Sequence, residues 1–123
     1  MAKRVLDQEW GMMYDADDRW ETTAPAGSYP EGASPFGVLD MSGNVWEWTE
    51  DRYGPYPARP EQDPRGPATG SERVTRGGGW EFHDAGFVRA TVRDKNVPSH
   101  RLNNVGFRCV YGVRPSWGPS KGA

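Results

Sequence analysis

The clearest hydrophobic–polar pattern in the chain falls at residues 45–49, where Trp46 and Trp48 share one parity and Glu47 takes the other. That period of two marks a strand with one face buried. It follows Ser42, Gly43 and Asn44, residue types that suit a turn. Two further runs, residues 74–80 (VTRGGGW) and 106–111 (GFRCVY), predict short strands, and the three glycines at 77–79 permit a bulge or a close backbone approach. Evidence for helix is weak. Residues 1–22 mix charges with Trp10, Met12, Met13, Tyr14 and Trp20, and the acidic run at 15–18 predicts a turn or loop.

Between these runs the chain is punctuated rather than periodic. Residues 23–36 (TAPAGSYPEGASPF) carry Pro or Gly every few positions and predict an irregular surface connection. Residues 53–71 form a long Pro-rich excursion, expected to be an exposed insertion loop rather than a separate domain. Residues 114–123 predict a disordered tail, leaving a single domain over 1–113.

Composition adjusts this picture in three ways. Only 35 % of the 123 residues are apolar and the mean hydropathy is −0.86, yet six Trp, five Tyr and four Phe exceed what a solvated tail would carry, so the core is expected to be small and aromatic. Sixteen glycines and eleven prolines favour loops over long helices. A formal charge of −2 offers no general electrostatic grip on nucleic acid or anionic membrane, so neither partner is expected. The single cysteine, Cys109, excludes an internal disulfide framework and leaves the compartment undecided. No apolar run reaches membrane-spanning length, and the first residues lack the apolar core of a signal peptide.

The strings SYPEGASPFGVLDMSGNVWEWTEDRYG, RVTRGGGW and NNVGFRCV, in that order, resemble the formylglycine-generating-enzyme, or sulfatase-modifying-factor, family. The resemblance implies an α+β, loop-rich variant of the C-type lectin fold with short antiparallel strands and little helix. It also implies oxygen-dependent oxidation of a sulfatase cysteine, with calcium and copper bound, in a longer chain than this one. Catalytic members carry one cysteine two residues past the aromatic of the RGG element and another five further on. Those positions are Phe82 and Phe87 here. Phenylalanine cannot ionise or ligate copper, so no copper and no oxidase activity are expected.

Calcium is the cofactor the resemblance does imply. The matching positions are the Asp40 and Glu47 side chains with the carbonyls of Gly43 and Val45, a hard oxygen set. The alternative is that Asp40 caps the turn and Glu47 pairs with an arginine. A second family calcium would use Asp18 and the Trp20 carbonyl, but its further ligands find no match near Arg4 and Val5. Cys109, following GFR in the last predicted strand, reads as a small buried residue rather than a reactive thiol.

Residues 81–108 interleave fixed-looking Arg89, Arg93, Pro98, Arg101, Gly106, Phe107 and Arg108 with chemically miscellaneous positions. The frame resembles the variable region of proteins diversified by retroelements that mutate adenines in AAC codons. Mutating the first two adenines of AAC yields every residue seen at Phe82, His83, Asp84, Gly86, Phe87, Val88, Val92, Asp94, Asn96, Val97, His100, Leu102, Asn103 and Asn104. Glu81 and Lys95 lie outside that reachable set. Ordinary drift of a family loop is the alternative origin. In both cases these sixteen positions form the candidate ligand-binding surface, for a protein or a small ligand. His83 and His100 lack further ligands at metal spacing and read as contact residues, and Ser71 and Ser99 have no base and orienter beside them. The expectation is a non-catalytic binding module; the runner-up is an oxidoreductase of the same family, or its accessory subunit, acting with a partner chain. Oligomeric state is left open.

Overall fold

The structure is a computed structural model that describes residues 17–62 and 64–111. Four short strands run in the order β1 (Trp46–Arg52), β2 (Arg73–Arg76), β3 (Asp94–Asn96) and β4 (Val105–Gly106), with 3₁₀ turns at Pro30–Gly32 and Ala85–Val88. They form one sheet ordered β3-β2-β1-β4. The rest is loop, as the Gly and Pro content predicts.

The two antiparallel pairings build the centre. β1 pairs with β2 through Glu47↔Arg76, Trp48↔Thr75 and Arg52↔Arg73, with a bulge between Trp48 and Arg52. β2 pairs with β3 through Arg73↔Asn96, Val74↔Lys95 and Thr75↔Asp94. The third pairing, β1 with β4 through Trp46↔Val105 and Glu47↔Gly106, is parallel, which the expectation of antiparallel strands did not include. A parallel partner cannot be delivered by a tight turn. The long irregular stretch from β2 to β4 supplies the crossover.

Opposed residues share a face, so Trp48 lies with Thr75, and Glu47 with Arg76. By that parity Trp46 and Thr75 are buried on one side of the sheet and Val74 on the other. Trp46 and Val74 are the buried hydrophobic side chains among the described residues, at 2 % and 1 % exposure, so burial is split between two thin layers. Each contributes about 2–3 kcal/mol relative to an exposed side chain. The Thr75 hydroxyl is buried without a partner, and nothing in the structure accounts for it.

Two predicted strands are shorter than expected. The run at 74–80 leaves the ladder after Arg76 because Gly77 and Gly78 take φ of +96° and +78°. At Gly78 a Cβ would stand 2.8 Å from Val88 Cγ1, so the position needs glycine for space as well as for φ. The run at 106–111 pairs only to Gly106; residues 107–111 find no strand partner among the described residues. For the same reason Cys109 is exposed rather than buried. Apart from the buried Gly54, the described residues between Tyr53 and Ser71 are exposed and carry no regular element. Residues 15 and 16 of the acidic run, and the expected tail at 114–123, lie outside the described residues. Asp17 and Asp18 close short turns on the amides of Arg19 and Trp20.

Candidate functional site

The turn before β1 is where the distant parts of the chain meet. Asn44, at φ +64°, accepts from the Ala24 amide at 3.0 Å and donates back to the Ala24 carbonyl at 3.1 Å. Its own carbonyl accepts from Trp80, Gly43 donates to the Gly77 carbonyl, and Trp46 donates to the Asn104 carbonyl. This hub fixes both ends of residues 81–104 relative to β1.

Side chains then hold the segment down. Glu81 Oε1 accepts from Trp46 Nε1 at 3.3 Å and from Asn104 Nδ2 at 2.5 Å, drawing the segment's first and last residues together over the buried indole. Ser42 donates to the Val88 carbonyl at 2.7 Å. Arg76 donates to the carbonyls of Ala90 and Val92. Arg93 lies 3.5 Å over the Tyr56 ring and donates to the Gly54 carbonyl, while Tyr56 donates to the Thr91 carbonyl and accepts from Arg76. The Pro-rich excursion is therefore anchored to the segment by its two tyrosines. Lys95 pairs with Glu72 at 2.9 Å and lies 5.2 Å over Tyr53; the bond to Glu72 raises the Lys95 pKa above its ordinary value.

Phe82 and Phe87, five residues apart, are brought face to face. Their rings stack at 4.2 Å and 19°, and Trp46 meets Phe82 edge-on at 5.8 Å. Three aromatic rings thus run from the core to the surface, where Phe87 is 40 % exposed. Such geometry adds to packing what ring quadrupoles favour, offset faces and edges. Asp84 caps the turn that carries Phe87 by accepting from the Gly86 amide at 2.7 Å.

Of the predicted surface positions, His83, Asp84, Phe87, Asp94, Lys95, His100, Leu102 and Asn103 are exposed. Phe82, Gly86, Val88, Val92, Asn96 and Val97 are half-buried. Glu81 and Asn104, also half-buried, face each other and Trp46. The two positions outside the AAC-reachable set, Glu81 and Lys95, are both committed to contacts with the framework. That unreachable codon set was the signal for their role. The anchors Ser42, Tyr56 and Arg76 carried no such signal.

The calcium positions are arranged around an arginine. Both oxygens of Glu47 accept from Arg108, from Nε at 2.6 Å and from Nη2. Arg108 also donates to the carbonyls of Leu39 and Asp40 at 2.7 and 3.0 Å. The Glu47 carboxylate beside it holds the guanidinium above its ordinary pKa. Asp40, at φ +56°, uses Oδ2 to accept from the Gly27 amide at 2.7 Å. The two carboxylates of the expected calcium set are thus engaged, Glu47 by Arg108 and Asp40 by the Gly27 amide. At the second position Asp18 accepts from the Trp20 amide and from the Tyr29 hydroxyl; Arg4 and Val5 lie outside the described residues.

Residues 2–113 match the family described as sulfatase-modifying factor enzyme 1-like domain. The chain belongs to the sulfatase-modifying factor family. Among curated members, the formylglycine-generating enzyme of Streptomyces coelicolor is 42 % identical over 100 residues, 77 % of this chain and 31 % of that enzyme. Two solved structures share the fold of this family member: variable protein 1 of Treponema denticola (TM-score 0.60, 29 % identity, 80 % of this chain and 34 % of that one) and PvdO from Pseudomonas aeruginosa (TM-score 0.57, 30 % identity, 79 % and 37 %). This sulfatase-modifying factor chain spans about a third of the length of each. Among the described residues no helix is long and apolar enough to cross a membrane.

Proposed function

We propose that the chain is a non-catalytic ligand-binding module that presents residues 81–104 on a formylglycine-generating-enzyme-type scaffold. The observation that carries this reading is the Phe82–Phe87 stack, which sets two apolar rings where catalytic relatives would need ionisable sulfur. Backed by Trp46, the stack offers an exposed, preordered aromatic face, the kind of anchor that loses little entropy on binding. The likeness to a variable protein supports a surface meant to differ between copies. On this reading the clamp between β1 and the chain after β4 is Arg108–Glu47 rather than Ca²⁺.

The test of the non-enzyme reading is incubation of the intact chain with copper(I), oxygen and a sulfatase-type cysteine peptide. No aldehyde product is expected; turnover would overturn the reading. For diversification, the coding neighbourhood should hold a reverse transcriptase and a near-identical template repeat. Copies generated from it should vary at exposed positions such as His83, Phe87 and Leu102 while keeping Glu81, Lys95 and Asn104, since loss of Asn104 would leave the Glu81 carboxylate with Trp46 alone. Free variation at 81 and 104 would remove the structural basis of this limit. A second reading, an oxidoreductase of the same family or its accessory subunit acting with a partner chain, draws on the 42 % identity to the Streptomyces coelicolor enzyme.

A further inference from the structure

A cleft of about 430 Å³ opens where β1 ends and the Pro-rich excursion folds back on it. Close backbone approach seats the excursion there. A Cβ on Gly66, at φ +67°, would stand 2.9 Å from the Arg52 carbonyl oxygen, and Pro67 fills the space over Gly54. Arg52 Nη1 donates to the Ala68 carbonyl at 2.6 Å, and Arg73 Nη1 donates to the Glu50 carbonyl. The cleft thus has a strand floor and a loop wall, and none of its lining comes from residues 81–104.

Its charges are uncommitted. Arg52 and Arg73 stand directly opposite in the β1–β2 ladder, and like charges so placed are destabilising. Arg65 brings a third guanidinium from the loop, while Glu50 and Asp51 bring two carboxylates from the strand. The ion pairs among the described residues lie elsewhere, at Lys95–Glu72 and Arg108–Glu47. A guanidinium carries five N–H donors, so the bonds to Ala68 and Glu50 leave Arg52 and Arg73 most of theirs. An anion alone would be drawn by the arginines and repelled by the carboxylates. A ligand that brings both signs uses every charge in the cleft.

We propose that this cleft is a second binding site, for a small zwitterion whose oxyanion group is taken by Arg52, Arg65 and Arg73 and whose ammonium group is taken by Glu50 and Asp51. Planar guanidiniums match the oxygens of a carboxylate or a phosphate two at a time. The volume lies in the range of small-ligand sites, about 300–1,000 Å³, and Pro64 and Pro67 give the cleft its apolar wall. A ligand here also relieves the opposition of Arg52 and Arg73, so its binding should stabilise the end of β1.

The test titrates the full 123-residue chain while its amide resonances are followed. O-phosphoethanolamine and glycylglycine carry both charges, and inorganic phosphate and ethylamine carry one each. At least one zwitterion should bind roughly tenfold more tightly than either single-charge probe and shift residues 50–52 and 64–73. The preferred zwitterion tells a phosphate ligand from a carboxylate. Arg65→Gln should weaken that binding roughly tenfold at an unchanged melting temperature, because no hydrogen bond or ion pair among the described residues uses its side chain. Glu50→Gln with Asp51→Asn should erase the advantage over phosphate. Phe87→Ala should change nothing here, which separates this site from the surface at residues 81–104. Zwitterion binding indifferent to Arg65→Gln would overturn the proposal, as would phosphate binding as tightly as the zwitterions or no shift with any probe at its solubility limit.

Discussion

At one edge of the sheet, β3 is crowded: Lys95 reaches Glu72, Arg93 stacks on Tyr56, and Tyr56 holds the Thr91 carbonyl. At the other, β4 pairs with β1 for two residues, and the chain after it, held by Arg108 on Glu47, shows Phe107, Val110 and Tyr111. The two edges are built from different chemistry. Cation–aromatic contacts and carbonyl-directed arginines tolerate water, so the β3 edge is complete without further burial. The apolar groups at β4 gain nothing from water and everything from being covered. Residues 94–96, β3 itself, stand on the finished edge, and Lys95 is tied into it through Glu72.

The sharpest way to break this contrast is to remove what both edges share. Trp46→Ala takes away the buried indole that receives Phe82 and Glu81, in the strand whose backbone pairs with Val105. A loss of about 4 kcal/mol is expected in urea unfolding, enough to abolish both edges together. A variant that kept the Phe82–Phe87 stack while losing β4 would show that the edges are independent.

Arg108→Ala should come next, at about 2 kcal/mol, because Glu47 is left half-buried without its cation. Arg108→Lys should recover only part, since an ammonium cannot span Glu47 and two carbonyls at once. Millimolar Ca²⁺ added to metal-stripped protein is expected to leave the melting temperature unchanged. A rise abolished by Glu47→Gln would replace the ion pair with a metal site.

Arg93→Ala acts on the finished edge alone and should cost about 1–2 kcal/mol, from the ring contact and the bond to Gly54. Proteolysis of residues 55–62 should then accelerate, because Tyr56 loses the guanidinium over its ring and is held only through its hydroxyl. Lys95→Gln is the smallest change. The Lys95 pKa is raised in the fold, so the pair stabilises below the ordinary lysine value of 10.5 and is lost as pH rises through the folded value. Being exposed, it should shift the melting temperature barely at pH 7, and the difference from wild type should vanish in strong alkali.

What the sequence disclosed follows from how local each signal is. The alternation of Trp46 and Trp48 announced β1 because one strand's period is written in consecutive residues. The pairing of β1 with β4 joins positions 59 residues apart, and no local pattern encodes a parallel partner. The run at 106–111 was legible yet misleading, since a strand needs a neighbour and none stands beside 107–111 among the described residues. Phe82 and Phe87 were marked by position, but their stacking depends on a 3₁₀ turn capped by Asp84 that no periodicity announces. The Glu47–Arg108 pair, one of two readings of that carboxylate at the sequence level, joins residues 61 apart and is visible only in the side chains.

The Glu81–Asn104 bond, with β3 at the segment's middle, divides the stretch into two lobes with pinned necks. A pinned neck separates length from stability: doubling a closed loop adds only about 0.6 kcal/mol of closure entropy. Residues inserted near His83 or near Ser99 should therefore be absorbed within one lobe, each resizing alone while the other keeps its shape.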